Sequence, residues 1–314
     1  METIARAGMT LSRDIEDYPE GIIIPIDKPY RWTSADVIRK VKWAAGKHFG
    51  KKNLKVGHAG TLDPLASGVL LVCIGKATKL AETLQRHDKE YIAGINFGAT
   101  TPSYDREKEI DRFFPRDGVS KERLQEVLPS FLGEQEQVAP LFSAKSVDGV
   151  RAYEMARRAL KEAQKGGGDF DHSGAELLSR QNINITRLEL VSWQEEGNRT
   201  ELDATLPESF AGQSNPECSV GQSSQECLAG PANPKNLAGR ANPKINVIET
   251  AGLGLPKAEI IVGCTKGTYI RALARDLGEA LGSGAFLDSL RRTRTGGFRV
   301  EDALSIDEAI ALLG

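Results

Sequence analysis

One stretch constrains this chain more than any other: Gly57-His58-Ala59-Gly60-Thr61-Leu62-Asp63-Pro64-Leu65-Ala66-Ser67-Gly68. It holds three glycines, a histidine, two hydroxyls and a single acid, and the apolar run Val69 to Ile74 follows at once. That run has the length and β-branched content of a buried strand. Glycine-rich backbone just before a core strand predicts a loop held at a sheet edge, where functional groups tend to sit. Asp63 is the only carboxylate between Asp36 and Glu82. Pro64 biases it towards an extended conformation and removes the next backbone N–H. From spacing alone Asp63 is a nucleophile, a general base or a turn cap.

The flanking chain reads as alternating strands and helices. Gly21 to Ile26 is strand-like, with Pro25 at an edge or bulge, and Asp27-Lys28-Pro29 turns it. Val37, Ile38 and Val41 have helical spacing, and either Thr33 or Ser34 can cap that helix. Ala77 to Leu84 predicts a short helix. Lys89 to Gly98 alternates, with Tyr91, Ala93, Ile95 and Phe97 on one face, and Ala99 to Asp105 is a loop. Residues 119–133 suggest a helix beginning near Ser120. Ile183, Ile185 and Leu188 mark a strand. Glu201 to Leu206 and Ala258 to Cys264 look like the arms of a hairpin. Ile270, Leu273, Ala274, Leu277 and Leu281 form a helical stripe closed by Gly282-Ser283-Gly284. Leu304 to Leu313 reads as a last helix.

Residues 1–20 are polar and acidic, a loose leader. Residues 211–246 are four tandem nonamers, AGQSNPECS, VGQSSQECL, AGPANPKNL and AGRANPKIN. Rich in Gly, Pro, Ser and Asn, they cannot build a core, and the expectation is a flexible loop grown by duplication.

Composition excludes several classes. No apolar run approaches the ~18 residues of a membrane span. The N-terminus lacks an apolar signal region, so the cytoplasm is expected. The four cysteines, at 73, 218, 227 and 264, form no C-x-x-C pair, and the four histidines are scattered, so no zinc pattern appears. Gly75-Lys76 is not a phosphate loop, because Leu70 stands where glycine is needed. The net charge is −2, yet Arg39, Lys40, Lys42, Lys47, Lys51, Lys52 and Lys55 share residues 37–56 with no acid. Residues 264–299 carry Lys266, Arg271, Arg275, Arg291, Arg292, Arg294 and Arg299 against Asp276, Glu279 and Asp288. Two basic stretches in a neutral chain fit a phosphate-binding face; the plainer reading is solvated surface charge.

Gly57 to Leu70 resembles the signature of the TruB family of tRNA pseudouridine synthases. Further blocks follow in that family's order across residues 21–300: Asp27-Lys28-Pro29 to Thr33-Ser34, Lys89 to Tyr91, Cys264 to Arg271, and Ala285 to Arg292. The resemblance implies an α+β enzyme with a mixed, mainly antiparallel sheet flanked by helices. It implies one catalytic domain over 21–314 and a thumb-like segment at about 137–165 gripping RNA; many relatives carry a small C-terminal RNA-binding domain, for which this chain is expected to have no room. It further implies isomerisation of uridine 55 in the T loop of tRNA, by a cytoplasmic monomer with no cofactor or metal. Asp63 would be the nucleophile, ionised beside Arg271, attacking C6 of the base or C1′ of the sugar. Tyr91 would stack on the uracil, with removal of the C5 proton as a second duty. Leu290 would wall the pocket, and His58 would assist the flipping that an unreachable base requires. Lys28, Arg31, Lys145 and Lys266 are candidate RNA-backbone contacts.

Two residues depart from the pattern. Arg31 replaces a glycine, which strains it if the position needs positive φ. Ser146 stands where lysine is expected, with Lys145 one place early on the opposite strand face. These departures favour the alternative of a non-catalytic tRNA-binding chaperone on the same scaffold; the presence of Asp63, Tyr91, Arg271 and Leu290 opposes it. A guide-RNA-dependent relative acting on ribosomal RNA is a second rival. An aspartate-dependent glycoside hydrolase is a third, and it normally needs a second nearby carboxylate.

Overall fold

The computed structural model describes residues 3–143, 145–147, 150–166, 170, 180–195 and 245–314. The expected arm 201–206 and the nonamers up to residue 244 lie outside the described residues. Among the described residues no helix is long and apolar enough to cross a membrane.

One ten-stranded mixed sheet organises the chain. Eight of its strands are β1 (Ile22–Lys28), β2 (Val56–Ala59), β3 (Ala66–Ile74), β4 (Lys89–Phe97), β5 (Gly133–Val138), β6 (Arg180–Gln194), β7 (Lys257–Cys264) and β8 (Ala285–Thr295). Their spatial order is β1-β3-β8-β4-β7-β6-β5, with β2 beside β3. Most neighbours are antiparallel; β3 and β8 run parallel, as Leu290↔Ala66 to Arg292↔Gly68. The same side of β3 then pairs with β2 over Leu71 to Ile74. The sheet therefore splits around Val69, just after the Asp63 loop.

The helices are α1 (Ser34–His48), α2 (Ala81–Arg86), α3 (Lys121–Val127), α4 (Ala152–Gly166), α5 (Ile270–Ala280) and α6 (Ile306–Leu312). Thr33 caps α1 in a reciprocal box with Asp36, satisfying donors that a helix start leaves orphaned. Val37, Val41, Ala44 and Ala45 turn inward, so this helix continues well past the three periodic residues read in sequence. Ser120 caps α3 and Ser305 caps α6. The predicted α5 stripe is buried in full, and Tyr91, Ala93, Ile95 and Phe97 share the same core. A satellite core of Ala139, Leu141, Phe142, Ala152, Ala156 and Phe170 holds the segment around α4.

Two expectations need correction. The N-terminal segment is not a loose leader: Thr3–Ile4 pairs with Ile22–Ile23, and Ala5, Leu11 and Ile15 are buried in the main core. The hairpin is the second. Over Lys257 to Cys264, β7 pairs with β4 on one edge and β6 on the other. Both edges of β7 are thereby occupied. The partner arm is β6, whose Ile183, Ile185 and Leu188 are legible as a strand from sequence.

Candidate active site

The loop between β2 and β3 is pinned at each carbonyl from Gly60 to Pro64. Gly60 and Thr61 accept from the Arg292 guanidinium at 3.1 and 3.5 Å. The Leu62 carbonyl accepts from Ser34 Oγ at 3.1 Å, and its N–H donates back to the same oxygen at 3.0 Å. The Asp63 carbonyl accepts from Ala66 N–H, and that of Pro64 from Arg31 N–H at 2.9 Å. The two hydroxyls at the α1 start thus divide the work: Thr33 caps, Ser34 ties down the loop.

Asp63 lines a pocket together with Leu65, Ala66, Asp105, Arg271, Leu287 and Leu290, which Asp288 and Ser289 also border. Its side chain is 40% exposed, whereas that of Arg271 is 8% exposed. Arg271 Nε donates to Asp63 Oδ2 at 2.9 Å. The same guanidinium donates to the carbonyls of Ser103 at 3.1 Å and Phe142 at 3.0 Å. Asp105 Oδ2 lies 3.7 Å from Arg271 Nε. Burial works against the Arg271 charge, but Asp63 and Asp105 outweigh it and hold its pKa up. Burial pushes the Asp105 carboxyl up, opposed by Arg271 and by a hydrogen bond from Ser103.

Asp105 is the residue that sequence reading missed. It lies far from Asp63 along the chain, in the loop after β4, and only the sheet brings it to Arg271. Its one sequence signal is a lone acid in Thr101-Pro102-Ser103-Tyr104-Asp105, a loop directly following the Tyr91 strand.

Other expected residues fall in different places. Tyr91 is buried on β4, opposite Arg292 on β8. Burial raises its phenol pKa, and Arg292 works the other way. Leu290 is half-buried and lines the pocket. His58 sits on β2 opposite Val72, half-buried, its pKa lowered by burial and by Arg292. Lys266 is exposed in the turn before α5. Lys145 precedes the short hairpin at 146–151 and does not line the pocket; the Ser146 side chain lies outside the described residues.

Lys28 is a correction. It is completely buried, and its ammonium donates to the carbonyls of Pro29 at 3.0 Å, Trp32 at 2.6 Å and Pro64 at 3.5 Å. It supports the Asp63 loop from beneath and presents no surface to a phosphate. Burial lowers its pKa to about 7.

Arg31 does occupy the left-handed region, with φ 60°. Its guanidinium donates to the Ile245 carbonyl at 2.8 Å. Arg106 holds the Ile248 carbonyl at 2.9 and 2.7 Å, and Thr250 Oγ1 donates to Asp288 at 3.0 Å. The segment 245–250 is thus tied to the pocket residue Asp288 through Thr250, and Arg31 holds its start.

The fold is a known architecture. A chain in a crystal structure of a Cbf5-Nop10-Gar1 complex superposes with a TM-score of 0.53 at 23% identity, over 99% of this chain and 60% of that one. The present chain thus spans about 60% of the length of that structural relative. The family model described as TruB family pseudouridylate synthase (N terminal domain) matches residues 47–206. A second, tRNA pseudouridylate synthase B C-terminal domain, matches 271–312, which here include most of α5, the sheet strand β8 and α6. The chain belongs to the TruB family of pseudouridylate synthases. It is 39% identical over 291 residues to tRNA pseudouridine synthase B of Phocaeicola vulgatus, covering 93% of this chain and 92% of the relative. Identity to the protein of that name from Bacteroides thetaiotaomicron is 40%, covering 92% and 91%. With that of Deinococcus radiodurans it is 34%, covering 91% and 77%.

Proposed function

We propose that the chain converts uridine 55 in the T loop of tRNA to pseudouridine, with Asp63 as the nucleophile. Isomerisation of uridine to pseudouridine in tRNA follows from the family and its relatives; the position and the residue roles are the new reading. The observation that carries it is the pinned loop between β2 and β3. A carboxylate is left partly exposed in the pocket while each carbonyl around it is fixed and a buried arginine holds one of its oxygens.

Chemically, the C1′–N1 bond breaks, the base turns, C1′–C5 forms, C5 loses its proton and N1 gains one. Electrons balance without an oxidant. Asp63 attacks C1′ or C6, and a charge-assisted bond from Arg271 favours the ionised carboxylate this requires. Because Arg271 is itself fixed by two carbonyls and Asp105, it needs no reorganisation as charge develops. Leu65, Leu287 and Leu290 supply an apolar wall, Tyr91 backs the base, and His58 supports the flipped conformation. Base flipping costs a few kcal/mol, recovered from backbone contacts to the stem-loop. The reading carries with it a cytoplasmic monomer whose partner is the T-arm.

Tritium release from C5-labelled T-arm transcript tests this with wild type and Asp63→Asn side by side. Release from the wild type alone, with RNA affinity kept within about threefold, is expected. Release from Asp63→Asn removes Asp63 from the mechanism. Binding without release by either protein identifies a chaperone.

A further inference from the structure

We propose that Arg292 is a positioning residue for the reaction, fixing the Asp63 loop and the Tyr91 side chain relative to each other. This rests on the proposed roles of Asp63 and Tyr91.

In sequence Arg292 belongs with the basic stretch of residues 264–299. In the fold it is 1% exposed, the largest fully buried side chain among the described residues. It sits where the sheet splits. Its Nε donates at 2.7 Å to the Val69 carbonyl, the point on β3 between the β8 and β2 pairings. Its other two nitrogens reach the Thr61 and Gly60 carbonyls, just ahead of Asp63. Arg292 is the register partner of Gly68 on one side and of Tyr91 on the other, and register partners on adjacent strands put their side chains side by side on one face. One residue thus holds both ends of the nucleophile's loop through its guanidinium and lies beside the tyrosine across the strand pair.

The close approach is enforced. Gly68 has φ 105°, and a Cβ there would fall 2.1 Å from the Arg292 carbonyl oxygen. No side chain but hydrogen lets β8 come this near.

Arg271 is balanced by Asp63 and Asp105. Among the described residues no ion pair includes Arg292, and its hydrogen-bond partners are the carbonyls of Val69, Thr61 and Gly60. An apolar side chain of similar volume would avoid that desolvation, but would leave three loop carbonyls without donors. A purely structural role stops at those carbonyls. A positioning role also requires that Arg292 act through Tyr91, and that difference is measurable.

The test uses the full-length chain with Arg292→Lys and Arg292→Gln, each alone and with Tyr91→Phe. Single-turnover tritium release from the T-arm transcript, RNA affinity and thermal melting are read together. The expected result is a rate loss of about 100-fold for Arg292→Gln and less for Arg292→Lys, with affinity within about threefold. In the Tyr91→Phe background the further loss should shrink to about threefold or less. Should Tyr91→Phe alone fall below detection, the order Arg, Lys, Gln in rate at unchanged affinity decides in favour. Equal losses in both backgrounds, or a rate loss matched by weaker binding, overturn the proposal. So does failure of both Arg292 variants to fold while Tyr91→Phe folds. If the wild type itself releases no tritium, the function reading falls too; release without coupling removes this inference alone.

Discussion

The two basic stretches look alike in sequence and have opposite fates. Along α1 and the turn after it, the charges point outward: the Arg39 side chain is 75% exposed, that of Lys51 47%, and Lys42, Lys47, Lys52 and Lys55 are all exposed. Trp43, 67% exposed, lies among them with Lys47 over its ring. In residues 264–299 two arginines turn inward to the Asp63 site, Arg271 to the carboxylates and Arg292 to the carbonyls around the loop. The difference lies in the backbone beneath. On α1 the apolar stripe takes the core side and leaves the lysines to water. Arg271 sits at the second residue of α5, within the buried turn. Arg291 and Arg292 are neighbours on a strand, so one faces Asp27 at 2.9 Å and the other faces the core. A run of positive charge therefore identifies a phosphate face only once the underlying period is known.

The sharpest way to break this contrast is Arg271→Gln. It should lower single-turnover rate by about 10²–10³-fold with RNA affinity nearly unchanged. It should also cost about 3 kcal/mol of stability, because Asp105 stays buried without its partner. Adding Asp105→Asn should restore part of the melting temperature and none of the rate. Arginines that merely met phosphate would instead show weakened affinity.

Replacing Lys42, Lys47 and Lys51 with alanine together should do the reverse. Turnover at saturation should hold, while affinity weakens and the slope of log affinity against log salt shrinks by about one for each phosphate no longer neutralised. An unchanged slope would make α1 a plain solvated face.

Lys28 offers a pH test of inward charge. Its pKa falls from 10.5 in the unfolded chain to about 7 when folded. Between those values the unfolded state binds more protons, so stability rises with pH. Relative to Lys28→Met, the wild type should gain on the order of 1–3 kcal/mol between about pH 6.5 and 9. Melting curves at the two pH values check this, and a relative stability that fails to rise with pH contradicts it.

The smallest effect concerns Arg31. Both Arg31→Gly and Arg31→Ala remove the bond to Ile245, but only glycine is relaxed at positive φ. The glycine variant should be the more stable of the two by about 1 kcal/mol. Equal melts would show that the turn carries no strain.

Asp63 stood out as an isolated acid in glycine-rich backbone, but spacing left it a nucleophile, a base or a turn cap, and only the resemblance singled out one role. The α5 stripe and the Tyr91 face were legible from period alone. Asp105 was not, because its meeting with Arg271 is made by sheet order, which local patterns do not encode. Arg292 was hidden by its company: in Arg291-Arg292-Thr293-Arg294 no apolar neighbour reveals which face is inside. Lys28 misled for a related reason. Three carbonyls of two separate loops converge on it, and nothing in Asp27-Lys28-Pro29 announces them.

The pairing of Gln194 with Lys257 closes the β6–β7 hairpin whatever lies between. For a chain whose ends are already held, doubling the length of the connection costs only about 0.6 kcal/mol in closure entropy. A further nonamer lengthens residues 195–256 by far less than that doubling, and leaves the register of β7 against β4 untouched. Copy number at this one point is thermodynamically almost neutral. Slippage during replication can add or delete repeats there, and selection on the Asp63 pocket has little purchase on how many remain.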